Sequence, residues 1–374
     1  MQSAILKEKE ERRLLRGHLW AYRNEFAQLP EVGDGEIVEI VSLKGRLVAR
    51  GFYQAQGGIA VRILTDRDEP VDSAFLARRV ARAKRYRDSM YPAQSTYRWI
   101  HGESDGLPGL IADRYDGVVC AETSCAFYSH CAEDLANAFL SVEGIRGVRL
   151  EVNSKVYAFG DAAGPVEVEI DALRYLVDID AGQKTGMFLD QRENCAVASR
   201  VAEGARVFDG FCYAGQWSLN MARANAAQVV GIDSSSAAIE AARRNAALNG
   251  LEVRCTFECG DAGEALRRGE RYDVIILDPP ALAKSRGQAR KALGLYQSLN
   301  RDAMNAVEHG GYLITSSCSH FVDMPAFLEM LKRAARAAQR DAWILETRGA
   351  ARDHPVLMAM PETAYLKCVM LRVF

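Results

Sequence analysis

Four acids in the second half of this 374-residue chain sit at or just beyond short strand-like runs: Asp209, Asp233, Asp261 and Asp278. Asp209 opens the loop Gly210-Phe211-Cys212-Tyr213-Ala214-Gly215, where a small residue lets backbone approach a ligand and the next helix N-terminus favours polar ligand groups. Asp233 lies about 20 residues on, the spacing at which a strand-terminal carboxylate holds ribose hydroxyls in dinucleotide folds. Asp261, after the third strand, can accept from an adenine amino group. Together the three describe a nucleoside crevice, and their spacing does not separate NAD from S-adenosylmethionine. No G-x-G-x-x-G run is present, which counts against NAD. Simple turn capping by Asp209 and Asp233 is the plainer alternative.

Asp278-Pro279-Pro280 follows the fourth strand, and the two prolines stiffen the turn that presents the acid. Ser316-Ser317-Cys318-Ser319-His320 follows the fifth. A thiol at a strand end is accessible and becomes a nucleophile when its pKa is lowered. A lone cysteine is more often structural. With the fourth and fifth strands adjacent, however, Asp278 and Cys318 face one pocket, and that pairing favours chemistry.

The elements that must position these residues alternate from about residue 190. Strands at Ala205–Asp209, Val229–Asp233, Tyr272–Leu277 and Tyr312–Thr315 are separated by helices at Gln216–Ala224 and from Ser234-Ser235-Ser236 to Asn249-Gly250. That alternation means a doubly wound α/β sheet, whose ligands sit beyond the carboxyl ends of the strands. Residues 1 to 72 read instead as short β-segments broken by glycine, a small barrel or curled sheet. Residues 73 to 89 read as a helix with Leu76, Val80, Ala83 and Tyr86 on its apolar face. Residues 97 to about 180 read as a compact α+β region with a helix near 127 to 141. The resulting domains are 1–72, 73–181 and 182–374.

The net charge is −2, from 47 Lys plus Arg and 49 Asp plus Glu, so a chain-wide basic footprint is absent. The cations are clustered, however. Arg78, Arg79, Arg82, Lys84, Arg85 and Arg87 fall within ten residues with no acid among them, and Lys284, Arg286, Arg290 and Lys291 form a second group. A solvated helix face explains the first cluster as well as a nucleic-acid contact does. Nine scattered cysteines without a CxxC pair fit neither a disulfide framework nor a zinc ribbon, and no histidine pair has metal spacing, so no metal is expected. The apolar runs are too short to span a membrane and the start has no signal-peptide pattern, so a cytoplasmic location is expected.

Several stretches resemble the bacterial 23S ribosomal RNA cytosine-5 methyltransferases that carry an N-terminal PUA domain. They are Gly182-Gln183-Lys184-Thr185-Gly186-Met187-Phe188-Leu189-Asp190-Gln191-Arg192, Asp209 to Ser218, Asp278-Pro279-Pro280 and Ser316 to His320. Arg16-Gly17-His18-Leu19-Trp20 and the closing Asp353-His354-Pro355, Pro361-Glu362 and Tyr365-Leu366-Lys367 are similar too, so the likeness runs essentially end to end. It implies an RNA-binding PUA domain, a small α+β domain and a class I methyltransferase domain that uses S-adenosylmethionine on ribosomal RNA.

By the same resemblance Gln183, Lys184, Thr185, Asp209, Phe211, Asp233, Asp261 and Asp278 surround the cofactor or the target, and Tyr213, Gly215 and Ser234 join the expected cofactor set. Cys318 is the implied nucleophile, with Asp278 on the cytosine N3 side. Pro279, Pro280, Arg78, Arg79 and Arg82 are expected to meet RNA. Residue 316 is Ser where many relatives have Cys, and residue 281 is Ala, so Cys318 is the only thiol of its motif and the base that removes the C5 proton is unassigned. Nitrogen methylation without the cysteine, or a non-catalytic RNA-binding assembly role, are the competing readings. A homodimer stays open.

Overall fold

A computed structural model describes residues 1–180, 185–283 and 285–374. Two compact units emerge: one comprises residues 1–168, 177–187 and 352–363, the other residues 169–176, 188–351 and 364–374.

The first unit opens with a six-stranded sheet in the order β2-β6-β5-β4-β1-β3. Its strands are β1 (Gln2–Leu6), β2 (Trp20–Tyr22), β3 (Phe26–Gln28), β4 (Ile37–Val41), β5 (Leu47–Tyr53) and β6 (Ile59–Thr65), with α1 (Glu11–Leu14) between the first two. Alternation decides the inner face: Ala4 and Leu6, Val38 and Ile40, and Val61 and Ile63 are buried in one cluster.

Helix α2 (Ser73–Met90) follows, its N-terminus capped by Asp72, which accepts from the Phe75 N–H at 2.8 Å. Beyond it lies a five-stranded sheet in the order β11-β10-β9-β8-β7, made of β7 (Thr96–His101), β8 (Leu110–Tyr115), β9 (Val118–Thr123), β10 (Gly147–Val152) and β11 (Lys155–Gly160). The helix expected near 127–141 is broken into α3 (Phe127–His130) and α4 (Ala132–Leu140). Trp99 anchors this core. It is fully buried and donates its indole N–H to the Val80 carbonyl at 3.1 Å.

One expectation for α2 is overturned. Arg87 was placed with the solvated cations and Tyr86 on the apolar face, yet Arg87 is fully buried. Its guanidinium grips both oxygens of Asp105 (2.6 and 2.8 Å) and donates to the Arg98 and Asp353 carbonyls. A planar fork of five donors can be buried when every arm finds an acceptor. Three more of the cations are not bare either: Arg78 pairs with Glu69, Lys84 with Asp88, and Arg79 donates to the Leu64 carbonyl.

The hairpin strands β12 (Pro165–Ile170) and β13 (Leu173–Asp178) precede α5 (Arg192–Ala198). The second unit then builds a seven-stranded sheet in the order β16-β15-β14-β17-β18-β20-β19. Its elements are β14 (Arg206–Gly210), α6 (Gln216–Arg223), β15 (Gln228–Asp233), α7 (Ser236–Leu248), β16 (Cys255–Cys259), α8 (Ala262–Leu266), β17 (Tyr272–Leu277), α9 (Ala289–Ala306), β18 (Val307–Ser317), α10 (Met324–Ala337), β19 (Ala342–Arg348) and β20 (Lys367–Val373). The first five of these strands in chain order run parallel, and β20 enters antiparallel between β18 and β19.

Val274–Leu277 are wholly buried, as an unbroken apolar run in a two-sided sheet must be. Caps read from the sequence hold: Ser235 accepts from the Ala238 N–H at the start of α7, and Gly250 adopts φ +64° past its end. Strand order reverses between β14 and β17, which opens the crevice at their carboxyl ends. Among the described residues no helix is long and apolar enough to cross a membrane.

Candidate functional site

The floor of the crevice is Asp209, fully buried at the end of β14. Its Oδ2 accepts from the Ser218 N–H at 2.9 Å and the Ser218 hydroxyl at 2.6 Å, while Oδ1 is buried without a hydrogen-bond partner. Burial pushes this carboxyl up to about 7; the Ser218 bonds oppose the rise, and the charges of Asp278 and Asp233 add to it. Asp209 therefore ties the first turn of α6 to the sheet and presents one oxygen that lacks a donor.

Between Asp209 and α6 the loop is strained. Phe211 (φ +68°) and Tyr213 (φ +47°) both adopt left-handed backbone, at a cost on the order of 1 kcal/mol or more each. Gly215 (φ +85°) takes the same region without that cost, and an added Cβ would lie 3.3 Å from Ala242. The Phe211 and Cys212 N–H groups both donate to the Ile232 carbonyl, and the Tyr213 N–H donates to Asp233 Oδ2 at 3.0 Å. The Ser235 N–H fixes the other Asp233 oxygen at 2.9 Å. Each Asp233 oxygen keeps a lone pair for a hydroxyl. Ser234 beside it is exposed, as is Asp261, whose Oδ1 caps α8 by accepting from the Glu264 N–H at 2.7 Å. Phe188 sets its ring 5.2 Å from that of Tyr213, a half-buried aromatic edge beside this loop.

At the end of β17, Asp278 is held on both oxygens: Gln191 Nε2 donates to Oδ1 at 3.0 Å, and the Trp217 indole donates to Oδ2 at 3.1 Å. Asn194 donates to Gln191 Oε1 at 2.7 Å, which turns the Gln191 amide nitrogen toward the acid, and Arg348 in turn donates to Asn194. Pro279 is buried and Pro280 exposed. The register Leu277↔Thr315 sets Asp278 level with Ser316, two residues before Cys318.

Around Cys318 the backbone is clamped. Tyr296, buried in α9, bonds the hydroxyls of Ser317 (3.0 Å) and Ser319 (3.1 Å), and the Ala283 N–H donates to Ser319 at 3.2 Å. Both neighbouring serines are fully buried, whereas Cys318 is half-buried. Of the nine cysteines, six are buried, as expected of structural thiols.

Thr185 is buried in the first unit, its hydroxyl bonded to Asp113, which also receives the Arg98 guanidinium. Gln183 and Lys184 lie outside the described residues, as does Lys284 of the second cation group. Arg78, Arg79 and Arg82 line a cleft of about 330 Å³ together with Arg67, Glu69 and Phe75. Burial lowers the Arg79 pKa and the Arg82 charge lowers it further, while Glu69 opposes the shift; with Asp66 also in the lining, four arginines face two acids in this cleft.

Sequence reasoning missed Gln191, Trp217, Tyr296 and Phe188 as site-builders. Gln191 was at hand in the Gly182-to-Arg192 stretch, but its target lies 87 residues away.

A family described as PUA-like domain matches residues 4–66, and one described as methyltransferase domain matches residues 202–354. A ribosomal RNA large subunit methyltransferase I from Shewanella denitrificans is 35% identical, the alignment covering 99% of this chain and 98% of that protein. The Aeromonas hydrophila protein of the same name is 36% identical, with 99% of each covered. Among solved structures, SMU.776, described as a methyltransferase and complexed with SAH, superposes over 100% of both chains with TM-score 0.89 at 18% identity. The fold is that of the class I methyltransferases, preceded by a PUA-like domain.

Proposed function

Because the chain belongs to the ribosomal RNA large subunit methyltransferase I family, we propose that it methylates C5 of a cytosine in 23S ribosomal RNA through a covalent adduct on Cys318. Its coarser activity is S-adenosylmethionine-dependent methylation of large-subunit ribosomal RNA.

The observation that carries the finer reading is the half-buried Cys318 on a clamped strand end, beside Asp278 held on both oxygens at the end of the adjacent strand. When bound, S-adenosylmethionine supplies a methyl group made electrophilic by its sulfonium. The orphaned Asp209 oxygen, the Asp233 lone pairs and the Phe188–Tyr213 edge fit a nucleoside at the β14–β15 end; Asp261, Ser234, Phe211 and Gly215 complete that side.

Cys318 as thiolate adds to cytosine C6, which makes C5 nucleophilic. Methyl transfer to C5 follows, a base takes the C5 proton, and the S–C6 bond breaks to restore the thiolate. Asp278, its geometry fixed by Gln191 and Trp217, faces the N3 side of the ring, with Pro279 stiffening the turn and the exposed Pro280 toward the RNA. The target must be unstacked to enter. Arg78, Arg79 and Arg82 supply sequence-independent grip on phosphates.

The test is incubation of wild type and Cys318→Ala with tritiated S-adenosylmethionine and unmethylated ribosomal RNA, followed by nucleoside analysis. Label in 5-methylcytosine that disappears in the variant supports the reading. Label in another nucleoside, or activity that survives, overturns it and leaves nitrogen methylation in its place.

A further inference from the structure

Lys367 begins β20 and pairs in register with Ser317, one residue before Cys318. It is 5% exposed, and its ammonium donates to the Ser319 and Tyr365 carbonyls, both at 2.7 Å. Both acceptors are neutral, and one belongs to the residue directly after the thiol. A lysine is rarely buried without a carboxylate partner, because removing an ammonium from water costs several kcal/mol. Two of its three donors are fixed on carbonyls, which anchors the charge at the turn carrying Cys318.

We propose that Lys367 is a positioning residue for the nucleophile: its ammonium, pinned beneath the Cys318 turn, favours the thiolate over the thiol. The inference rests on the reading of Cys318 as nucleophile. The thiol releases its proton to water and the lysine keeps its own, so no proton passes between them. A cation beside a thiol acts in this direction at reactive cysteines generally.

The electrostatics agree with the geometry. Burial lowers the Lys367 ammonium to about 8, and the charge that opposes this most is that of Cys318, followed by Asp323 at the start of α10. Other groups near the turn include the Tyr296 hydroxyl, pushed up chiefly by burial, His320, whose ring lies 5.6 Å from that of Tyr365, and the Asp278 carboxylate at the end of β17, whose charge opposes the thiolate. Lys367 is the cation among them whose hydrogen bonds hold it to the Cys318 turn.

The experiment measures the pH dependence of Cys318 alkylation by iodoacetamide in the folded full chain, read by peptide mass spectrometry, for wild type, Lys367→Arg and Lys367→Gln. The expected result is an upward displacement of the midpoint by a unit or more in Lys367→Gln and its retention in Lys367→Arg. Equal midpoints in wild type and Lys367→Gln overturn the proposal. Should Lys367→Gln not fold, wild type decides: a midpoint at or above the ordinary thiol value of about 8.5 overturns it. Trapping with 5-fluorocytosine RNA separates the two readings. Absence of a trapped adduct in wild type sinks Cys318 as nucleophile, whereas an adduct with unmoved midpoints sinks only the role of Lys367.

Discussion

The Trp217 indole N–H donates to Asp278 across 3.1 Å, from the first turn of α6 to the end of β17. The bond joins the helix that Asp209 tethers to the acid proposed to meet the base. Trp217→Phe keeps an aromatic side chain but removes the donor, together with one ring of buried packing. A lost hydrogen bond to a charged group costs about 1.5–3 kcal/mol, so kcat/KM for methyl transfer should fall roughly 10- to 150-fold. Steady-state assays at matched folding, checked by circular dichroism, measure this; undiminished activity would show that the bond does not position Asp278.

Asp209 makes a pH prediction for stability. Its folded-state value, about 7, is above the unfolded value near 3.8. Its favourable contribution is therefore complete below about 4 and is lost as pH rises to 7, because ionisation in the fold is resisted. Melting temperatures of wild type and Asp209→Asn at pH 5 and pH 8 should show the variant gaining relative to wild type at the higher pH. A constant difference across that range would refute the assignment.

Activity should also depend on pH through Lys367. The ammonium is charged below about 8 and neutral above it. Methyl transfer should accordingly decline as pH rises through 8 in wild type, with the decline displaced to higher pH in Lys367→Arg. Coincident profiles would count against a functional charge there.

Removing Arg87 should be severe. Its loss strands the buried Asp105 carboxylate, and breaking such a pair costs about 3–5 kcal/mol. Arg87→Leu should lower the melting temperature by many degrees, whereas Arg85→Ala, on an exposed position of the same helix, should change it little. Equal small effects would mean that the buried fork contributes nothing.

RNA binding by the arginine cleft is read from salt dependence. If each of Arg78 and Arg82 neutralises a phosphate, its replacement by Ala reduces the slope of log K against log salt by roughly 1. Unchanged slopes would place the RNA elsewhere.

The local pattern read well where it depended on neighbours in sequence. The strand Tyr272–Leu277, the Ser235 cap and the Gly250 stop follow from apolar runs and turn chemistry, and the structure has them where periodicity sets them. What escaped were bonds between residues far apart in the chain. Gln191 and Trp217 converge on Asp278 from 87 and 61 residues away, and nothing local in either residue announces the acid. Arg87 looked like one more surface cation because its acceptors, Asp105 and the Asp353 carbonyl, lie outside its own helix. The Thr185 hydroxyl goes to Asp113, a partner the motif could not reveal.

The run Val274-Ile275-Ile276-Leu277 also has a meaning for the nascent chain. Before β14 and β18 flank it, this segment is apolar and rich in branched residues, the composition that favours strand-to-strand association when exposed. Asp273 stands just before it and Asp278-Pro279-Pro280 just after, a charge on one side and a charge with two ring-locked residues on the other. Such flanks act as gatekeepers against aggregation. The tripeptide assigned to hold the base thus doubles as a guard on the stickiest stretch of the sheet, and replacing Asp278 by an apolar residue to probe catalysis would also loosen that guard during expression.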